Sequence, residues 1–207
     1  MRLNPNRRSR SLAAVILNTE AGGALAIGVY GGFRYDGSGG GGSGDCEEAD
    51  GQGWRAVRFD PAALRIPALN WRTTRLFGLP LPAGLAIAIE PQRLEGHWQP
   101  ASGMLRLHFE ARFRFQVLGR QAAPDLLVAT MMTSEESVGR RRSARGSRLD
   151  AEGRGVLVGV AAVQRTGRGW YDTFLGLPDE ALAILPCRLT PPIALEGHPE
   201  EPAGSRL

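Results

Sequence analysis

The segment from Leu105 to Val117 most constrains the fold of this chain. Its 13 residues alternate without exception between apolar and polar side chains, with Leu, Phe, Ala and Val on one side. A strict two-residue period is typical of a β-strand that has one face in the core and the other in solvent. We therefore predict an antiparallel strand here. At about 3.4 Å per residue it would be roughly 40 Å long, so we expect it to bend or to serve two sheets.

The preceding segment, Arg93 to Gln99, also alternates, and the turn formers at 100–103 join the two runs. Closing that turn as a tight hairpin pairs positions whose numbers sum to 203, which matches apolar with apolar and acid with base. The predicted pairs are Leu94 with Phe109, Trp98 with Leu105, Arg93 with Glu110 and Glu95 with His108. The apolar run 85–89 adds a third strand, so we predict a three-stranded meander over 84–117.

The remaining patterns also indicate short strands, in keeping with 28 glycines and 14 prolines in 207 residues. We predict a hairpin formed by 13–19 and 24–35, strands covered on both faces at 126–133 and 156–163, a strand at 170–175 and a helix at 178–185. The fold class is mainly β: a single antiparallel β-sandwich or barrel with one short C-terminal helix. Two small β domains divided near Gln121 are the alternative.

The predicted domain occupies residues 13–189. It follows a basic N-terminal arm at 1–12 and precedes a disordered, proline-rich tail at 190–207. Inside it, the Gly, Ser and acidic residues of 36–52 predict a flexible loop, because glycine loses the most entropy on ordering. The glycines there lack the Lys-Ser/Thr that a phosphate-binding loop requires, and a linker of artificial origin is also compatible with them.

Charge is unevenly distributed along the chain. All 25 basic residues are arginine, and the net charge is +4. Four arginines without an acid lie in 1–10, six arginines with two acids lie in 139–154, and the remaining 15 arginines are accompanied by 19 acids. The body is therefore mildly acidic and carries two basic patches, to which any anion binding is confined.

The cysteines and the apolar runs bear on compartment. Cys46 and Cys187 have no Cys or His at metal-binding or disulfide-framework spacing, so we expect neither a metal site nor such a framework. The residues after Arg7 and Arg8 resemble an export leader, but the apolar run ends at Asn18, and no run reaches the roughly 20 residues of a membrane-spanning helix. We expect a cytoplasmic protein, with peripheral membrane association left open.

Motifs for nucleophilic, nucleotide-dependent or metal-dependent catalysis are absent, so we expect no cofactor and favour a non-enzymatic protein. The weak catalytic candidates are the polar residues that the predicted register brings to one face of the hairpin: His97, His108, Glu95 and Glu110. A solvated ladder of cross-strand pairs is the simpler interpretation of the same residues. A hydrolase with an unrecognised site is therefore the third hypothesis for function.

The arginine-rich segment 139–148 provides the first hypothesis. Guanidinium groups bind phosphates and carboxylates through two parallel hydrogen bonds, and small residues between them permit a loop to adapt. The predicted anion-binding residues are Arg140, Arg141, Arg142, Arg145 and Arg148. Their partner would be RNA, an anionic membrane surface or an acidic protein, and a homo-oligomer stays open.

A second hypothesis follows from the apolar residues of the predicted strands. Met131, Met132 and the row Phe109, Phe113 and Phe115 would line a closed barrel that binds a small apolar ligand. An ordinary packed core uses the same residues, so the sequence leaves both interiors open.

Overall fold

The computed structural model describes residues 13–190 and contains 15 strands and one helix in that range. The predicted N-terminal arm and the tail beyond Thr190 lie outside these residues. The elements in chain order are β1 (Ala13–Thr19), β2 (Gly23–Ile27), β3 (Tyr30–Tyr35), β4 (Gly41–Cys46), β5 (Arg55–Phe59), β6 (Thr74–Leu76), β7 (Leu79–Pro80), β8 (Leu85–Gln99), β9 (Met104–Val117), β10 (Arg120–Gln121), β11 (Leu126–Thr133), β12 (Glu136–Val138), β13 (Ser143–Arg145), β14 (Arg154–Val163), α1 (Gly169–Leu175) and β15 (Asp179–Thr190).

Eight antiparallel strands form a closed ring in one half of the molecule. Their order is β1-β4-β5-β8-β9-β11-β14-β15, and β15 pairs with β1 to complete the ring. In this half each of the eight strands has a paired neighbour on both sides. We call this half the closed end. It contains the turn 100–103 and the loop 47–54 between β4 and β5.

The other half, which we call the open end, has a different strand set. The first residues of β15 pair with β2 instead of β1, and the sheet continues through β3, β6 and β7. Between β7 and β8 the ladder is interrupted, and Leu69 and Ile87 form an isolated bridge there. The ring is therefore extended at this end. The same end carries the turns 28–29, 77–78 and 118–119 and the helix α1.

The predicted β fold and the predicted hairpin register are confirmed. Each of the four predicted pairs, from Arg93 with Glu110 to Trp98 with Leu105, is present in the ladder between β8 and β9. The predicted meander is wrong, because Leu85–Gln99 is one continuous strand. A bulge between Pro91 and Arg93 shifts the register by one residue, which allows a 15-residue strand to bend without ending.

The predicted helix at 178–185 and the predicted strand at 170–175 are both wrong. Residues 179–190 form β15, which pairs with β14 over ten positions, so sheet pairing overrides the helix-favouring Asp179 and Glu180. The aromatic segment forms α1, and Gly176 ends it in the left-handed conformation at φ 70°. Tyr171 and Leu175, one helical turn apart, bury the same helix face.

The predicted flexible loop at 36–52 is wrong for its central part, because 41–46 form β4 between β1 and β5. The glycines serve close packing: a Cβ on Gly41 would lie 2.0 Å from the Leu17 carbonyl oxygen, and one on Gly44 would lie 2.5 Å from that of Arg58. The predicted first hairpin is also wrong. The strand at 13–19 pairs with β4 and β15, whereas 23–27 and 30–35 form a hairpin with each other.

The main core fills the closed end. It consists of inward side chains from all eight ring strands, with Phe59, Leu105, Leu107 and Leu189 among the most deeply buried. The prediction that β11 is covered on both faces is wrong, because Leu127 and Met131 point outward and are exposed. On β14 the outer face is partly covered by the β12–β13 hairpin, whose Ser137 hydroxyl accepts a hydrogen bond from the Val160 amide at 3.0 Å.

Truncating Leu105 should destabilise the protein far more than truncating Leu127. Leu105→Ala removes a fully buried side chain from the packed end, and comparable core truncations cost about 2–5 kcal/mol. Leu127 is 68% exposed, and Leu127→Ala should change the free energy of unfolding by no more than about 0.5 kcal/mol. Urea unfolding of both variants measures the difference. Similar losses in the two variants would contradict the placement of the core.

Candidate functional site

An apolar cavity of about 470 Å³ lies inside the barrel, toward the open end. Most of its wall comes from inward residues of β2, β3, β8, β9, β11, β14 and β15, and α1 adds Tyr171, Phe174 and Leu175. Its volume lies within the roughly 300–1,000 Å³ typical of sites that hold small molecules. Of the residues predicted to line such a cavity, Phe109, Phe113, Phe115 and Met132 do so, whereas Met131 lies on the outer surface.

Small residues on two neighbouring strands make this half of the barrel hollow. On β14 and β15, the inward positions carry Gly159 opposite Ala183 and Ala161 opposite Ala181. The phenylalanines of β9, two strands away from β14 in the sheet, also line the cavity. Two cross-strand pairs without bulky side chains leave space that those phenylalanines do not fill. Further along the same strands, Leu157 and Cys187 belong both to the cavity wall and to the main core.

The titratable groups buried in the wall are neutral at physiological pH. Burial, together with Asp125 and Asp172, raises the pKa of Tyr171 to about 12. Burial, with Glu20 as a second cause, raises the pKa of the Cys187 thiol to about 12. Burial also raises the pKa of Tyr35, whose hydroxyl donates a hydrogen bond of 2.6 Å to the Pro67 carbonyl oxygen. Arg65 is the one charged residue among the described residues lining the cavity and is exposed at the surface, so the rest of the wall presents uncharged groups.

The helix α1, which lines the cavity, is held by a buried carboxylate. Asp172 accepts hydrogen bonds from the Thr166 amide at 2.8 Å, the Thr166 hydroxyl at 2.7 Å and the Gly167 amide at 3.1 Å. These bonds outweigh the opposing effect of desolvation and lower the pKa of Asp172. Tyr171 and Phe174 are thereby fixed against Phe115 and Tyr30, with ring centroids 5.7 Å and 5.4 Å apart.

The predicted anion-binding loop surrounds a carboxylate of its own chain. The backbone amides of Arg140, Arg141 and Arg142 donate to the Glu180 carboxylate at 2.5, 2.9 and 3.0 Å. Glu180 is only 8% exposed, and the amides of Arg140 and Arg141 are the largest causes of its lowered pKa. The loop thus binds an anion through its main chain, and that anion anchors the β12–β13 hairpin to β15.

Several arginine side chains of this segment also have partners within the chain. Arg141 lies 3.2 Å from Asp179, Arg148 lies 2.9 Å from Glu135, and Arg145 lies 3.9 Å from Glu136. Arg142 donates to the Gly28 carbonyl oxygen at 2.6 Å, which places the loop tip at the open end. The guanidinium of Arg140 is exposed and has no ion pair with any residue in 13–190. Binding of an external anion by these arginines stays a prediction.

The weak catalytic candidates lie on the outer face of the β8–β9 hairpin, remote from the cavity wall. Glu95 bonds to Arg93 and Arg58, which lower its pKa, and His108 Nδ1 lies 3.5 Å from Glu110 Oε1. His97 is exposed beside Arg106. Residues 13–190 contain no group of three or more potential metal ligands. The arrangement is a surface ladder of ion pairs, and a catalytic role stays a prediction.

Comparison with family models, characterised proteins and solved structures finds no match to this chain. The site must therefore be interpreted from its own geometry. The only helix between residues 13 and 190 is α1, and its seven residues cannot cross a bilayer. Both cysteines are buried free thiols.

Sequence reasoning missed the wall formed by β2, β3 and α1. Leu25, Ile27, Tyr30 and Phe33 line the cavity, but they belong to a segment in which glycines interrupt the alternation. The small residues of β14 and β15 were a usable signal, since Gly-Val-Ala-Ala and Ala-Leu-Ala place small side chains at every second position. These small residues indicate a cavity only if 179–185 form a strand, whereas the sequence favoured a helix there.

Replacing Glu180 by Gln should destabilise the protein near neutral pH and have less effect in acid. The folded-state pKa of Glu180 lies below its unfolded value of about 4.3, so its stabilising contribution is fully present above that pH. The contribution is lost as the pH falls through the folded-state pKa. Thermal unfolding of the wild type and of Glu180→Gln between neutral and acidic pH measures this convergence.

Glu48→Gln provides the matched control, because Glu48 is an exposed carboxylate in the loop at the closed end. Its unfolding temperature should follow that of the wild type across the range. A Glu180→Gln variant as stable as the wild type at neutral pH would show that the loop amides do not depend on this carboxylate.

Proposed function

We propose that the protein binds a small, uncharged, predominantly apolar molecule inside the barrel. The cavity is the observation behind this proposal, because it offers about 470 Å³ of space inside the barrel and is lined mostly by apolar side chains. A cavity of this size lined by apolar groups is costly to leave empty, because its lining lacks partner atoms on one side. A ligand that fills it would restore those contacts.

The wall indicates the chemistry of the ligand. The hydroxyls of Thr19, Tyr35 and Thr130 all donate to main-chain carbonyls of Gly37, Pro67 and Val160. These wall groups already have hydrogen-bond partners, so they do not demand polar atoms from a ligand. Aromatic rings from β3, β9 and α1 supply flat apolar surface. We therefore infer a ligand with a hydrocarbon or aromatic body, such as a lipid-like or polycyclic molecule.

The geometry favours this function over the two others that the sequence raised. The loop amides around Glu180 are already occupied, and most of the arginines in that loop have internal partners. The histidines and acids of the hairpin lie outside the barrel and do not adjoin the cavity. A binding role therefore uses the apolar cavity, whereas the alternatives use features that already have a structural explanation.

Filling the cavity should abolish ligand binding while the fold is retained. Ala183→Phe places a ring opposite Gly159, within the space left by the small residues. Titration with the neutral fluorescent probe N-phenyl-1-naphthylamine should give saturable binding to the wild type and at least about tenfold weaker binding to the variant. Native mass spectrometry of the purified protein would identify any molecule that copurifies.

Two further variants make the result interpretable. Ala129→Phe adds the same ring to an outward position of β11, and its binding should equal that of the wild type. Ala161→Leu fills the cavity by a smaller amount from β14 and should weaken binding less than Ala183→Phe. Circular dichroism and thermal unfolding establish that each variant is folded. Undiminished probe binding by folded Ala183→Phe would refute a site inside the barrel.

A further inference from the structure

The exposed apolar side chains of this protein are concentrated at the open end. Of 12 large apolar residues that are exposed in the described range, eight lie there by strand topology. They are Val29, Phe77, Leu79, Val117, Leu118, Leu127, Trp170 and Phe174. We call this set the apolar rim. Because Phe174 also lines the cavity, the rim is continuous with the cavity wall.

Two tips of the rim have an unfavourable backbone conformation. Leu76 pairs with Leu79, and Val117 pairs with Arg120, so Phe77-Gly78 and Leu118-Gly119 are two-residue hairpin turns. Phe77 has φ 52° and Leu118 has φ 49°, and the following glycines are also positive. Such turns strongly favour Asn-Gly, and a bulky side chain in this region is uncommon.

The same two residues are the most exposed large apolar side chains described, at 78% for Phe77 and 80% for Leu118. Each turn therefore combines backbone strain with exposure of an apolar side chain to water, and neither stabilises the isolated fold. Two separate hairpins carry this combination at the same end of the molecule. Strain and apolar exposure that coincide in this way point to a binding surface.

Charge identifies the partner. Six exposed arginines lie in or beside the loops of the open end: Arg75, Arg120, Arg140, Arg141, Arg165 and Arg168. The acids of the same region are bonded within the protein: Asp125 to Arg112 and Arg114, Asp172 to Thr166 and Gly167, Asp179 to Arg141, and Glu180 to the loop amides. At the opposite end, the loop 47–54 contains three acids and no base.

We propose that the open end docks on an anionic lipid bilayer. The apolar rim enters the boundary between headgroups and acyl chains, as the apolar face of an interfacial protein does, and the surrounding arginines bind the lipid phosphates. The acidic loop of the closed end then faces away from the membrane. In this orientation the exposed Phe174, which also lines the cavity, adjoins the acyl chains, so an apolar ligand passes between bilayer and barrel beside α1 without crossing water. The transfer step rests on the proposed function, whereas docking does not.

Vesicle flotation with two asparagine variants tests the docking. The wild type should float with vesicles of phosphatidylcholine and phosphatidylglycerol and bind pure phosphatidylcholine vesicles more weakly. Phe77→Asn and Leu118→Asn should each weaken binding at least about tenfold, because each removes one inserted side chain. Both should leave the unfolding temperature unchanged or raise it, since asparagine suits the turn. A loss of binding therefore cannot be attributed to misfolding.

Further experiments separate the contribution of the apolar rim from that of the arginines, and test for a second copy of the chain as the partner instead of a membrane. Met131→Gln removes an exposed apolar side chain from the side of the barrel and should bind vesicles like the wild type. Arg120→Gln combined with Arg168→Gln should weaken binding to anionic vesicles and leave binding to neutral ones unchanged. Sedimentation velocity without vesicles tests for a second copy of the chain as the partner. A dimer that the asparagine variants dissociate, together with absent vesicle binding, would overturn the proposal.

The experiments can refute the docking proposal and the proposed ligand site independently of each other. Ala183→Phe should lose N-phenyl-1-naphthylamine and still float with anionic vesicles. If no variant alters flotation, the rim is not the docking surface, whatever the cavity binds. If the wild type floats through the rim but never binds the probe, docking stands and the proposed function is wrong.

Discussion

One edge of β15 hydrogen-bonds to two different strands, and this division shapes both halves of the molecule. Its last residues pair with β1, which closes a ring of eight strands around the main core. Its first residues pair with β2, which adds β2, β3, β6 and β7 to the sheet at the other half. The extended wall, together with the small residues Ala181 and Ala183, leaves the space that the closed end lacks. The core and the cavity thus both depend on the way in which β15 divides its edge between β1 and β2.

The β8–β9 hairpin was predictable because its signal is local. Thirteen alternating residues and a short turn define both the face and the register, and the pairing of Arg93 with Glu110 agrees with the charges. The phenylalanines of β9 and Met132 were also placed correctly in the cavity wall. Met131 was not, because a run that is apolar on both faces does not reveal which face is covered.

The errors have a shared cause, which is that the decisive contacts are distant in sequence. Asp179 and Glu180 are acids after a proline, as at a helix start, but Glu180 meets amides some 40 positions away and β15 meets β14. The glycines of β4 suggest a loop when only the sequence is considered. In the structure they permit close packing against the main-chain carbonyls of Leu17 and Arg58. The sequence predicts an external anionic partner for the arginine side chains, and that stays a prediction. The contact of the loop amides with Glu180 is a separate, internal one, and composition does not reveal it.

The seam between β1 and β15 joins the first and last strands of the described chain. Ile16 pairs with Thr190, 174 positions away. Bringing these two residues together costs loop-closure entropy, and the pairing of the strands between them must compensate for that cost. During synthesis the ring therefore stays open until nearly every strand has emerged, with the edges of β1 and β14 unpaired. The cavity acquires its final wall in the same event, so its completion is one of the last steps of folding.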